Sequence, residues 1–463
     1  MKKLIIFQVI ALLYLCSLHA EDLPESIKID LSSALNIGIK NNYDLKYNRI
    51  EQLLSKKIIT ENWRRFLPTL GIDYGNAFNV TPYEEDTRTH SIKFKVQQPL
   101  YQGGRYYASY KIAQMNSKIK RTTYNILLNN LKAVIQKQYF SVIIQKEIKN
   151  IQQKLVEQAD IQTGFAKAEN NLGMLTSIDL AEIEAYQKTA QLDHVRSKNS
   201  LSKEYNTLKK ALYLNWQQRI MIDEDIFATL QYKELDKSIS ELVSYAFQNR
   251  RDLMNTYSEV IQRKYDYKSN KYYYLPAVSL NFDYTLSGEK FYPFSRSWNV
   301  GIQLDFMFKG TSLSQSGNYG QNINDGSKSL SSSHSLEPFS DLGYISRYIQ
   351  AEANLKTAKV KLSQLKQDIA IEIEDRYYQV KEKWDLLNIL KDREKVLKKR
   401  LDVFMLKQKL GEAKRVDVVE AEIEYYQAST QTMQGVLEYI NSIVDLELSL
   451  GADIGYLQII KMR

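Results

Sequence analysis

The chain has 463 residues, a formal net charge of +9 and 25% charged residues, enough for two or three ordinary domains or one duplicated unit. Its 63 basic side chains are interspersed with 54 acidic ones, which fits solvated helix surfaces and argues against a clustered nucleic-acid footprint. The single cysteine, Cys16, excludes internal disulfides and thiolate metal centres in the mature chain.

At the start, Lys2-Lys3, an apolar run over residues 4–18 and Ala20 read as a secretory signal peptide, residues 1–20, cut before Glu21. A lipoprotein signal wants a small residue before its cysteine, and Leu15 stands there, which argues against lipidation. No later stretch is apolar enough for a transmembrane helix, so residence in a membrane requires a β-barrel.

Residues 34–62 have helical composition and no proline. The period then changes to two. Leu70, Ile72, Tyr74, Phe78 and Val80 alternate with polar or small residues, as do Ile92, Phe94 and Val96 with Lys93, Lys95 and Gln97. A charged loop over residues 81–89 separates these two predicted strands. No proline lies between Pro99 and Pro276, and residues 105–170 read as nearly continuous helix, roughly 100 Å long at the usual rise. Its apolar stripe includes Tyr124, Leu131, Ile135, Tyr139 and Val142. A second pair of strands follows, with Val278, Leu280, Phe282, Tyr284 and Leu286 on one, and Trp298, Val300, Ile302, Leu304 and Phe306 on the other. Trp63, Tyr101, Tyr106, Tyr107, Tyr272, Tyr273 and Tyr274 flank one end of these strands; Tyr83, Phe291, Tyr292, Phe294 and Trp298 flank the other. Two aromatic girdles around an apolar band are the mark of a membrane barrel, and four strands need several chains to close one.

The chain repeats itself. LGMLTSIDLAEIE from Leu172 matches LGEAKRVDVVEAEIE from Leu410, 238 residues on (410 less 172). Asn41-Asn42-Tyr43-Asp44-Leu45 matches Asn249-Arg250-Arg251-Asp252-Leu253 at an offset of 208, and Leu67-Pro68 matches Leu275-Pro276. The apolar stripe recurs at the larger offset as Leu362, Ile369, Ile373, Tyr377 and Val380. Each Leu-Gly ends one long helix and precedes acidic residues that suit the first turn of the next, so each copy is the tip of an antiparallel helical hairpin. The repeats run over residues 21–240 and 241–463. The extra 30 residues (238 less 208) of the second repeat coincide with a Ser/Gly/Asn-rich segment, 311–335, expected to be a mobile low-complexity loop on the periplasmic side. Residues 205–239 and the tail after Gly451 are expected to form a side subdomain.

Two strands, the turn Gln98-Pro99-Leu100-Tyr101-Gln102-Gly103-Gly104, a long hairpin with a Leu-Gly tip, then the whole again: this order resembles the outer membrane efflux protein family, the TolC-like channel-tunnels. The resemblance covers nearly all of the mature chain, although the second turn is degenerate, Met307-Phe308-Lys309-Gly310. It implies a mainly α fold with a β-barrel portion. In this arrangement the hairpins form a periplasmic α-barrel, and each chain gives four strands to a trimeric outer-membrane β-barrel. It further implies the exit duct of a tripartite efflux or type I secretion system. The partners it implies are a periplasmic adaptor (membrane fusion) protein, an inner-membrane transporter of RND or ABC type, and outer-membrane lipid. The other class consistent with the helices and signal, a secreted coiled-coil structural or adhesive protein, leaves the alternating strands unexplained.

His90, His194 and His334 lie far apart, and no metal spacing, nucleophile motif or phosphate loop appears, so no enzyme, cofactor or metal is expected. The candidate site residues lie elsewhere. Leu172, Gly173, Leu410 and Gly411 should form adaptor-contacting tips. Asp417 and Glu420, three apart on one helix face, match an acidic pair that narrows the periplasmic mouth in the resembling family. Thr176 can cap the helix before Asp179, whereas Lys414 cannot accept such a bond, which leaves Asp417 freer for the gate. Lys414 and Arg415 are expected to pair with Asp179 as a gate lock. Lys93, Lys95, Asp283 and Asp305 should face the barrel lumen.

Overall fold

The computed structural model describes residues 27–80, 82, 87–222, 230–290, 295–453 and 455–462. The expected signal peptide and the girdle residues Tyr83, Phe291, Tyr292 and Phe294 lie outside them.

The first repeat opens with β1 (Ile27–Lys28), α1 (Leu31–Asn41) and α2 (Tyr43–Arg64). Sequence period made one helix of α1 and α2, but Asn42 is extended (φ −61°, ψ 121°) and its N–H closes α1 on the Gly38 carbonyl. Asp30 caps α1 by accepting Ser33 N–H at 3.0 Å. Next come β2 (Thr69–Asn79), β3 (Thr87–Gln102), α3 (Arg105–Asn171) and α4 (Ser177–Ala211), then the short β4 (Ile220–Met221) and β5 (Leu230–Tyr232). The second repeat follows the same order: α5 (Ile239–Asn249), α6 (Arg251–Lys271), β6 (Ala277–Gly288) and β7 (Ser295–Phe308). Two further strands, β8 (Thr311–Asn322) and β9 (Lys328–Glu337), precede α7 (Tyr344–Lys409), α8 (Arg415–Ser449) and β10 (Ile460–Met462). The helices α4 and α8 are both 35 residues long.

Contacts divide the chain into two compact units that cut across the repeats. Residues 1–43, 127–249 and 370–463 make one, and residues 44–126 and 250–369 the other. In the first unit the apolar stripe is the core: Ile135, Tyr139 and Val142 of α3 and Ile373, Val380 and Leu387 of α7 are at most 1% exposed. Each such aliphatic side chain removed from water contributes about 1.5–3 kcal/mol. Gly38 of α1 meets Ile135 so closely that a Cβ would stand 2.3 Å from its Cδ1, which makes glycine a packing requirement there. The tail does join the linker between the repeats: β10 pairs antiparallel with β5, and β1 pairs parallel with β4. The buried carboxylate of Glu447 holds that tail by accepting Gly455 N–H at 2.8 Å and Leu457 N–H at 2.9 Å.

The second unit carries one antiparallel sheet of order β2-β3-β6-β7-β8-β9. The four strands expected from alternation are present, in register Ile72↔Phe94↔Tyr284↔Trp298. The segment expected to be loop, residues 311–335, is instead the hairpin β8–β9. Its β8 makes an unbroken ladder with β7 from Phe308↔Thr311 to Ser297↔Asn322. Serine, glycine and asparagine carry little strand signal of their own. The neighbouring strand supplies backbone partners, and the cross-strand pairs Leu313↔Leu336 and Tyr319↔Leu330 add apolar contact.

Candidate functional site: the hairpin tips and the two faces of the sheet

The two tips are built alike. Gly173 (φ 71°) and Gly411 (φ 77°) are left-handed. Gly173 N–H donates to Asn170 O and Met174 N–H to Glu169 O; Gly411 N–H donates to Gln408 O and Glu412 N–H to Lys407 O. This double closure is the Schellman end of a helix. Leu172 and Leu410 stand in solvent, 73% and 66% exposed.

Past the tips the copies diverge. Thr176 Oγ1 accepts the N–H of Asp179 at 3.1 Å and caps α4. In α8, Lys414 gives no side-chain cap, but its backbone N–H donates to Asp417 Oδ2 at 3.0 Å. Asp417 therefore has a local structural partner, contrary to the sequence argument that left it free. Glu420 is exposed and, with Glu182, brackets Tyr186. Burial, the bond of Tyr186 Oη to Glu182 at 3.1 Å and the two carboxylate charges push that phenol above its ordinary range.

Arg415 pairs with Glu169, rather than with Asp179. Its Nε donates to Glu169 Oε2 at 2.9 Å, Nη2 binds Oε1, and Nη1 donates to Gln162 Oε1 at 2.7 Å. The guanidinium also lies 5.0 Å from the Phe165 ring centre. A fork this planar suits bidentate carboxylate binding, and it holds Glu169 below the usual carboxylate range. Gln162 Nε2 in turn donates to Glu422 at 3.1 Å. Glu422 is 4% exposed, and burial pushes its carboxyl up.

The chain Glu169–Arg415–Gln162–Glu422 thus joins the hairpin α3–α4 to the hairpin α7–α8. Around it pack Ala166, Ile183 and Val419, with Leu175, Leu180 and Val416. The sequence carried a signal for this network in the differences between copies. Glu422 occupies the place of Glu184, which pairs with Lys167 at 3.1 Å; Glu169 corresponds to Lys407, and Arg415 to Ser177. The copies therefore carry different charges where they must meet.

On the sheet, Lys93, Lys95, Asp283 and Asp305 share one face. Lys93 Nζ lies 2.9 Å from Asp283 Oδ2, and Lys95 pairs with Asp73. Asp305 accepts Ser314 Oγ at 2.7 Å. The opposite face carries Leu70, Ile72, Tyr74, Phe94, Phe282, Val300 and Ile302, all exposed in the single chain. Exposed apolar area of this extent marks a surface meant for lipid or another chain. Among the described residues, no helix is long and apolar enough to cross a membrane, and no cluster of His, Cys, Asp and Glu could hold a metal ion.

Residues 35–212 match the model of the outer membrane efflux protein family. Comparison with curated protein sequences gives no match. Among solved structures, the chain is similar to the CmeC outer membrane channel of Campylobacter jejuni, at 16% identity and a TM-score of 0.70 over 91% of this chain and 85% of that one. It is also similar to the open state of the MtrE outer membrane channel of Neisseria gonorrhoeae (14%, 0.72, 92% and 89%). The outer membrane protein VceC of Vibrio cholerae is similar too (11%, 0.71, 91% and 96%).

Proposed function

We propose that three copies form an outer-membrane channel-tunnel that receives cargo from an inner-membrane pump through a periplasmic adaptor; residues 35–212 match the model of the outer membrane efflux protein family, and the fold is similar to that of solved outer membrane channels. The family match and the fold shared with solved outer membrane channels support an efflux channel role.

The observation that carries it is the two-faced sheet. Four strands hold an apolar face to one side and a charge-paired face to the other, and one chain leaves the sheet open. An open sheet edge is not tolerated in hydrocarbon, so copies must join to close it. A second observation supports several chains: on α2, Tyr47, Ile50, Leu54 and Ile58 form an exposed apolar stripe at helical spacing.

In this reading Leu172, Gly173, Leu410 and Gly411 meet the adaptor's helical hairpins, and Asp417 and Glu420 of three chains line the periplasmic mouth. Six carboxylates brought together repel anions and attract divalent cations. The gate lock reduces to the Arg415–Glu169 pair, since that is where the guanidinium is engaged.

Membrane fractionation with native electrophoresis tests the assembly. The expected result is an outer-membrane trimer that co-purifies with an adaptor and a pump. A salt-extractable or secreted monomer overturns it.

A further inference from the structure

We propose that the hairpin β8–β9 is a detachable guard: it covers the outer edge of β7 in the single chain and yields that edge to β2 of a second copy when the barrel closes. This rests on the channel reading above, and three further observations carry it.

The first is the chemistry of the hairpin's faces. On the apolar side of the sheet, β7 presents Trp298, Val300, Ile302, Leu304 and Phe306. Their β8 partners are Gln321, Tyr319, Gly317, Gln315 and Leu313, and the β9 residues beyond are Lys328, Leu330, Ser332, His334 and Leu336. The rows beside Ile302 and Leu304, in the middle of the apolar band, therefore hold Gly317 with Ser332 and Gln315 with His334. An amide and an imidazole there have no water to bond, and lipid disfavours them. The free strand β2, with Leu70, Ile72, Tyr74 and Phe78, does have a lipid-compatible face.

The second is the junction. The chain turns from β7 into β8 at Gly310 and comes back to the same residue after β9: Gly310 O accepts Asp341 N–H at 3.0 Å and Ser340 Oγ at 3.5 Å. Gly310 is left-handed (φ 79°), and a Cβ there would stand 2.8 Å from Asp341 O. Asp341 is also paired with Arg347 of α7, and Tyr344 of α7 stacks on Tyr273 at 4.9 Å. The passage from β7 into α7 is thus fixed at the base of the hairpin and does not depend on β8 being docked.

The third is direction and need. Through the order β2-β3-β6-β7, with every step antiparallel, β2 runs opposite to β7, so the two can pair antiparallel between copies. Before assembly, an open β7 edge would template unwanted pairing. The ladder to β8, reinforced by Trp298 edge-on to Tyr319 at 5.7 Å, covers it, and β9 ends the sheet with a serine-rich, fully exposed strand that begins at Lys328.

The test locks the hairpin. Gln303 and Ser316 face each other across β7 and β8; Gln303→Cys with Ser316→Cys, in a chain whose one native cysteine is Cys16, bridges them on oxidation. The oxidised full-length protein should give at least tenfold fewer outer-membrane trimers, with recovery on reduction. A control bridge within the hairpin, Ser314→Cys with Ser335→Cys, should leave trimer yield unchanged. Deletion of residues 311–337 should leave trimers whose single-channel conductance equals that of the intact chain. Equal trimer yield from locked and reduced protein, with a lower conductance after deletion, overturns the guard and makes β8–β9 permanent staves of a wider barrel. Failure of even the unmodified chain to form trimers would instead sink the channel reading.

Discussion

Glu422 and Asp417 show how a single position acquires its role from what packs on it. Glu422 is buried beside Gln162 and its carboxyl is pushed up, so the fold favours its protonated form. Its cost is absent below the ordinary carboxylate range and grows as pH rises through the raised folded-state value. Glu169, held down by Arg415, works the other way: its contribution is present above the ordinary range and is lost as pH falls through the lowered value. Glu422→Gln keeps an oxygen that can accept from Gln162 Nε2 and loses the charge. It should raise thermal stability at pH 7 by about 1 kcal/mol and leave it unchanged near pH 4; calorimetry at the two values decides. At the proposed mouth, Asp417→Ala with Glu420→Ala should weaken divalent-cation block in planar-bilayer recordings. Because Asp417 accepts Lys414 N–H, that variant should also lose about 1 kcal/mol of helix-cap stability. The single change Glu420→Ala separates the two effects, weakening block with no stability loss. That Arg415 would seek Glu169, 246 residues earlier, was not legible from the chain, since such a partner is chosen by the packing of two hairpins rather than by local spacing.

Among elements, the long helices were the most legible, because a proline-free 3.6-residue stripe leaves no other solution for runs such as α3 and α7. The four alternating strands were legible for the same reason at period two. The break at Asn42 was not, since nothing in the composition of residues 34–62 interrupts the helical pattern. Nor was the hairpin β8–β9, whose strand character comes from β7. The assignment of faces can be checked with two charges placed close together. Phe94→Arg puts a cation on the apolar face, where it costs about 2–4 kcal/mol near the bilayer midplane; trimer yield should fall sharply. Gln97→Arg, on the face shared with Lys93 and Lys95, should be tolerated, and equal harm from both would refute the assignment. At the tips, Gly411 is left-handed with open space around it. Gly411→Phe therefore strains the turn without a clash, and should abolish export while trimers still reach the membrane; immunoblotting beside an export assay reads both.

At the scale of the whole molecule, duplication supplies the elements twice, and divergence decides what each copy is for. The equivalent helices α4 and α8 are equal in length, but only α8 carries the arginine and buried glutamate that meet α3, so neither copy could replace the other in the chain Glu169–Arg415–Gln162–Glu422. The contact-based units each take residues from both repeats, so the repeat boundary near residue 240 does not separate two compact bodies. This is why reading the chain as a duplicated sequence gave its order of elements, but not the polar network that joins the copies.

The pairing of lysine with aspartate on the polar face has an electrical consequence. Lys93 is neutralised by Asp283 and Lys95 by Asp73, which leaves Asp305 as the uncompensated charge among these five residues. In the proposed trimer, a lumen lined this way carries a small negative surplus in place of a strong field of either sign. Its permselectivity should be weak: under a tenfold potassium chloride gradient, the reversal potential of the open barrel should sit near zero with a slight cation preference. Asp305→Asn should shift it to neutrality, and Asp283→Asn, which leaves Lys93 to balance Asp305, should do the same.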